Sequence, residues 1–288
     1  MHRFDPSTNA IPILPFPSRV VAELTSSCNL SCTMCPRHHM KLSGSHMEPA
    51  LFYRLIDELK GNNVTLVPFW RGESCLHPDF LEMMNHAIDA GIAIHISTNG
   101  ELMDKDIMDL FYRCEFVTFS LHTQAGFTNA QKLISARPSW SIATIQGSFV
   151  HCEKSVSRYL GECISDYNLK GFDAIRLYHE HSKDGKFGKS LNVNAGERLF
   201  CKKLTNTLVI AADGSYSRCN HIWETENDLN LNDSTLHEVW NGTTLNRIRV
   251  CYPDEKCLSC DQWTGHTNGE VWLKDSKGNI QHQRYGHS

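Results

Sequence analysis

The sequence predicts an α/β protein built on a mainly parallel sheet, with a small second domain towards its C-terminal end. Between Arg19 and His181, apolar strand-like runs alternate with amphipathic helical segments, the pattern of repeated βα units. Three cysteines, Cys28, Cys32 and Cys35, follow the first of those strands at C-x3-C-x2-C spacing. A second set, Cys201, Cys219, Cys257 and Cys260, lies beyond a glycine- and lysine-rich stretch that reads as a flexible connection.

The strands read in order are Arg19–Thr25, Val64–Trp70, Ile92–Ser97, Phe116–Leu121, Ser141–Val150 and Asp173–His179. Helices Pro49–Lys60, Asp79–Ala90, Asp104–Arg113, Thr128–Ser135 and Glu153–Leu169 lie between them; in the first, Leu51, Phe52, Leu55, Ile56 and Leu59 share one face. Right-handed crossovers place the functional loops at the carboxyl ends of the strands, and the cysteine loop is at that end. Periodicity does not separate a curled partial barrel from an open doubly wound sheet. The domain plan is a lead (1–18), an α/β body (19–181), a linker (182–198), a cysteine domain (199–263) and a tail (264–288). In the cysteine domain, Asp213-Gly214 marks a hairpin that brings Cys201 and Cys219 together, and a helix is expected over Asp233–Arg249 with Leu236, Val239 and Trp240 in the core. A tail hairpin is expected around Asp275–Asn279.

With 41% hydrophobic and 21% charged residues over 288 positions, the chain can bury a full core. A formal net charge of −4 gives no electrostatic footprint for nucleic acid or an anionic membrane. Met1 to Pro17 contains no apolar signal segment, and no apolar run approaches the roughly 18 residues of a membrane span, so a cytoplasmic protein is expected. In that compartment twelve cysteines point to metal binding more than to disulfides.

Three thiolates on one loop can hold three corners of a cubane iron–sulfur cluster, leaving the fourth iron open to a small ligand; a structural zinc site closes with four ligands. The competing readings are a zinc loop completed by His38 or His39, or buried thiols without metal. For the second set, four thiolates from two separated pairs suit either a zinc ribbon or a fully ligated cluster.

The first cysteine loop resembles the signature of radical S-adenosylmethionine (SAM) enzymes. The second set, with Gly214 and Trp240, resembles the twitch domain of that superfamily, the shortened form of its SPASM domain. The resemblance implies a partial (β/α)6 TIM-type barrel with a small C-terminal β-hairpin/helix auxiliary-cluster domain. It further implies SAM and two [4Fe–4S] clusters, one on Cys28, Cys32 and Cys35 and one auxiliary on Cys201, Cys219, Cys257 and Cys260. Met34 stands where relatives place an aromatic residue near the adenine. Trp70-Arg71-Gly72-Glu73-Ser74 is similar to the family's Gly-Gly-Glu-Pro loop, with Arg71 and Ser74 as departures, so Gly72 and Glu73 are carried over as SAM contacts. Thr98 and Asn99 at the third strand's end, and Ser120 at the fourth's, are the other cofactor positions. His122, Arg176 and Tyr178 are the substrate candidates; on the sixth strand, alternation leaves open which face lines a pocket.

The implied reaction is hydrogen-atom abstraction from a small polar substrate of carbohydrate or cyclitol type, ending most simply in oxidation of an alcohol to a ketone. An electron donor such as flavodoxin or ferredoxin would be the partner. Alternatives are epimerisation with Cys251 as hydrogen donor, modification of a ribosomally made peptide, and a zinc-stabilised binding module that is not an enzyme.

Overall fold

The computed structural model describes residues 13–151, 158–166, 168–179, 201–258, 260 and 269–285. Strands β1 (Arg19–Ala22), β2 (Thr65–Val67), β3 (Ala93–Thr98), β4 (Phe116–Ser120), β5 (Thr144–His151) and β6 (Ala174–His179) pair in parallel, each with the next. Helices α1 (Pro49–Leu59), α2 (Phe80–Asp89), α3 (Lys105–Arg113), α4 (Gln124–Ser135) and α5 (Arg158–Ile164) connect them. The apolar stripe expected on α1 is the one buried, and those five side chains join Val20 and Ala22 of β1 in the large core under the helices. Each fully buried aliphatic or aromatic side chain there contributes roughly 1.5–3 kcal/mol.

Two elements differ from the sequence reading for local reasons. Helix α4 starts at Gln124, four residues before the expected Thr128, because the Thr123 side chain accepts the Gly126 N–H and caps it. The expected helix over Asp233–Arg249 is two helices. After the short α6 (Lys203–Asn206), α7 (Leu236–Trp240) stops at Asn241 and α8 (Thr243–Val250) starts after Gly242. A side chain at Gly242 would meet Leu229 at 3.0 Å and the Glu238 carbonyl at 3.2 Å, so the break is packed in place. Leu236, Val239 and Trp240 are buried as expected.

The larger finding is that the cysteine domain and the tail both extend the sheet of the α/β body. Strand β7 (Thr207–Ile210) pairs in parallel with β1 along all four residues, and β8 (Tyr216–Ser217) folds back on β7 around Gly214, which has φ +82°. At the opposite edge, β9 (Gly269–Lys274) pairs antiparallel with β6, and β10 (Ile280–Tyr285) covers β9. The resulting order is β10-β9-β6-β5-β4-β3-β2-β1-β7-β8. The tail hairpin turns where expected, with Asp275 accepting the Lys277 and Asn279 N–H groups. The expected linker 182–198 lies outside the described residues, as do Cys152, Glu180 and His181. Among the described residues no helix is long and apolar enough to cross a membrane.

Candidate functional site

Beyond β1 the chain turns sharply. Thr25 hydrogen-bonds to the Ser45 carbonyl and accepts the Ser27 N–H, and Ser27 reaches the Gly44 carbonyl at 3.1 Å. These bonds fix the base of the loop carrying Cys28, Cys32 and Cys35, all half-buried, with the Cys35 N–H on the Cys32 carbonyl. Burial pushes the Cys28 thiol up, and the neighbouring Glu73 and Cys35 charges add to the shift. A cavity of about 330 Å³ opens beside the loop, its wall including Cys32, Met34, His122 and Thr123. Burial lowers the His122 pKa below its ordinary value.

The loop after β2 is pressed onto the cysteine loop. A Cβ at Gly72 would lie 2.2 Å from the Thr25 carbonyl oxygen and 2.5 Å from that of Ser27, so only glycine fits. This approach lets the Glu73 N–H donate to the Ser27 carbonyl at 2.7 Å. The Glu73 carboxylate is 4% exposed and accepts from Thr98 Oγ1 (2.9 Å) and the Asn99 N–H (2.7 Å). Burial raises its pKa, and those donors oppose the rise. Asn99 Nδ2 in turn donates to Asn29 Oδ1 at 2.8 Å, inside the cysteine run. Thus Gly72, Glu73, Thr98 and Asn99 come together against the first thiol set. Asn29 belongs with them but was invisible in the sequence, because its partner is 70 residues away.

Arg71, the departure from the family loop, has its own task. Its guanidinium forms two parallel bonds to Glu23, at 2.6 and 2.5 Å, stacks 4.0 Å from the Trp70 ring, and donates to the Trp223 carbonyl. Glu23 also accepts the Ala212 N–H at 3.2 Å. One buried ion pair therefore ties the β1 and β2 loops to the cysteine domain.

On β6, Ile175 and Leu177 enter the core under the helices, which leaves Arg176 and Tyr178 on the opposite face of the sheet. The Arg176 guanidinium lies 4.6 Å from the Tyr178 ring centre. Ser120, at the end of β4, is half-buried and accepts the His122 N–H through its carbonyl.

Cys201, Cys219, Cys257 and Cys260 line one small cavity with Arg218 and Tyr252. Burial, then the Cys219 charge, pushes the Cys201 thiol up to about 11; burial and Asp254 raise Cys257, with smaller additions from Cys201 and Cys260. Arg218, between Glu226 and Asp254, braces this wall. Among the described residues no cluster of His, Cys, Asp or Glu is gathered as one metal ion requires. Four thiolates on one cavity could ligate either a fully held cubane or a single ion.

Cys251 is not brought to either site: it ends α8, is exposed, and lines neither cavity. Among the described cysteines, iodoacetamide treatment of the native protein followed by peptide mass mapping should label Cys251 first. It should leave Cys114 and Cys163 untouched, since burial pushes both thiols to about 12.

The radical SAM superfamily model matches residues 22–145, and the model of an iron–sulfur cluster-binding domain (SPASM) matches residues 201–261. The chain is 34% identical over 88 residues to the tungsten-containing aldehyde ferredoxin oxidoreductase cofactor-modifying protein of Pyrococcus furiosus, covering 30% of this chain and 25% of that protein. It is 25% identical over 121 residues to the mycofactocin maturase MftC of Mycobacterium tuberculosis, covering 42% and 31%. The matches thus span about a quarter to a third of those relatives. Among solved structures, BtrN in complex with AdoMet and 2-DOIA superposes with TM-score 0.60 at 14% identity over 86% of this chain and 92% of that one. Streptococcus suis SuiB bound to precursor peptide SuiA gives 0.65 at 16% identity over 89% and 72%. These likenesses show the fold, a mostly parallel α/β sheet of the partial-barrel kind. The chain carries a radical SAM domain followed by a SPASM-type domain, and the two imply SAM and [4Fe–4S] clusters.

Proposed function

We propose that this chain, with its radical SAM domain ahead of an auxiliary-cluster domain, oxidises an alcohol of a small polar substrate, of carbohydrate or cyclitol type, to a ketone. When bound, the cluster on Cys28, Cys32 and Cys35 together with SAM supplies one-electron chemistry able to remove a hydrogen atom from an unactivated carbon. Met34, Gly72, Glu73, Thr98, Asn99 and Ser120 are the residues assigned to hold SAM beside it.

Alcohol oxidation removes a hydrogen atom, a proton and an electron. His122 on the cavity wall is the group placed to accept the proton. The electron requires an acceptor, and the observation that supports one is the pairing of β7 with β1: Cys201 precedes β7 and Cys219 follows its hairpin partner β8, so the domain carrying the second thiol set joins the sheet beside the strand that leads to the first. Flavodoxin or ferredoxin is the proposed source of the priming electron. Epimerisation is weakened as an alternative because its donor, Cys251, lines neither cavity.

Peptide modification is the second reading. The fold shared with peptide-bound SuiB is compatible with it.

Anaerobic reconstitution tests the main reading. The protein should hold about eight irons, and Cys257→Ser about four, with both forming 5′-deoxyadenosine from SAM under dithionite. About four irons with one zinc would leave the second site a structural ribbon and remove the electron acceptor. Solvent deuterium retained at the reacting carbon would sink oxidation in favour of epimerisation.

A further inference from the structure

Over β4, β5 and β6 the face of the sheet turned away from the helices is polar where the helix-facing side is apolar, while over β1, β2 and β7 it carries a second apolar cluster. Thr118 of β4, Gln146 and Ser148 of β5, and Arg176 and Tyr178 of β6 alternate with Val117, Phe119, Ile145, Phe149, Ile175 and Leu177, all of which enter the core. Ser148 is in register with Arg176, and Gln146 bonds to Thr118. On β1 the same alternation puts Val20 and Ala22 in the core under the helices and leaves Arg19 on the opposite side with Val21 and Glu23. The edge strands of the six-stranded body, β1 and β6, therefore each offer one arginine to the same face. Burial raises the Tyr178 pKa, and the charges of Arg176 and Arg19 oppose the rise.

Among the described residues no ion pair joins a carboxylate to either arginine. Among the described residues the buried carboxylates are Glu23 and Glu73. Glu23 is held by Arg71 and the Ala212 N–H, and Glu73 by Thr98 and Asn99. Arg176 lies against the Tyr178 ring, and burial holds the Arg19 guanidinium below its ordinary pKa with no carboxylate to offset it. Removing a guanidinium from water without an anion is costly, and a planar fork of N–H donors matches a carboxylate or phosphate.

We propose that Arg19 and Arg176, with the Tyr178 hydroxyl, form a receptor for an oxoanion, a carboxylate or phosphate group of the substrate. This rests on the reading of that face as a substrate chamber and narrows the substrate to an anionic polyol: a sugar acid or a phosphorylated sugar or cyclitol, not a neutral or cationic one. The same chemistry could instead serve the carboxylate of SAM, and the test separates the two.

Inorganic phosphate is titrated calorimetrically into the anaerobically reconstituted protein, with and without saturating SAM. The wild type should show one saturable site that persists with SAM present. Arg19→Gln and Arg176→Gln should each weaken it at least tenfold, Arg19→Lys should recover part of the loss, and Arg113→Gln on α3 should leave it unchanged. Thermal unfolding of each variant establishes that it is folded. Absence of a saturable site in the wild type, equal weakening by Arg113→Gln, or affinity unchanged in both glutamine variants would each overturn the receptor. Loss of phosphate binding on adding SAM would overturn the substrate assignment and give the site to the SAM carboxylate. Because calorimetry does not depend on turnover, failure to form 5′-deoxyadenosine would defeat the functional reading and leave this result standing.

Discussion

Gly72→Ala should cost at least about a hundredfold in 5′-deoxyadenosine formation and lower the iron retained by the first thiol set, with the second set still loaded. The added methyl has nowhere to go. Its contacts at 2.2 and 2.5 Å are backbone carbonyl oxygens of Thr25 and Ser27, which cannot swing aside as the end of a side chain could. Overpacking of this kind costs typically about 1–3 kcal/mol, and here the strain falls on the hydrogen bond from Glu73 N–H to Ser27. Moving Glu73 by even a fraction of its bond length disengages Thr98 and Asn99, and with Asn99 the tie to Asn29. The effect on rate exceeds the effect on stability because three loops lose register at once. Gly161→Ala is the control: nothing lies within 4 Å of its Cβ and it sits within α5, so alanine should be neutral or stabilise by up to about 1 kcal/mol. Iron and sulfide per chain, with single-turnover SAM cleavage, measure both. A Gly72→Ala protein with full iron and undiminished cleavage would show that the loops do not need this contact.

What could be seen in the sequence and what could not follow from the range of each interaction. The first three cysteines lie within eight residues of one another, so their spacing is itself the geometry of the loop. The hydrophobic stripe of α1 is equally local, and its expected face is the buried one. Gly72 and Glu73 were visible through motif resemblance, but the reason for the glycine is a carbonyl from a loop some 45 residues earlier. The Thr123 cap was missed because its acceptor serves Gly126, with no glutamate or glutamine in the third helical position to mark a capping box. Parallel pairing of β7 with β1 leaves no trace in either segment, since a parallel neighbour is specified by burial on both faces and not by a turn. Reading residues 199–263 as a domain appended to the barrel therefore passed over its most consequential property, a strand in the barrel's own sheet. Arg19 was read as the opening of the first strand, and its role emerges only when β6 presents Arg176 and Tyr178 to the same face.

The same blindness hid Glu23, an acid inside an apolar run, and it motivates the second large prediction. Glu23 is 0% exposed and Arg71 13%, and the pair is bidentate, so neither charge is free to relax into solvent. Arg71→Leu should lower the melting temperature by about 10 °C, because removing one partner of a buried pair costs about 3–5 kcal/mol and leaves the Glu23 carboxylate with the Ala212 N–H alone. Glu23→Leu combined with Arg71→Leu should recover at least half of that loss, since no charge is then stranded. A double variant as unstable as Arg71→Leu would mean that the packing of Arg71 on Trp70, and not the ion pair, carries the stabilisation. Both variants also lose the bond from Arg71 to the Trp223 carbonyl, which joins the β2 loop to the cysteine domain. Limited proteolysis should therefore release fragments from within 201–261 sooner in both than in the wild type, even where the double variant has regained its melting temperature. That split assigns the two halves of Arg71's role: charge pairing for stability, and the carbonyl contact for holding the second thiol set against the first.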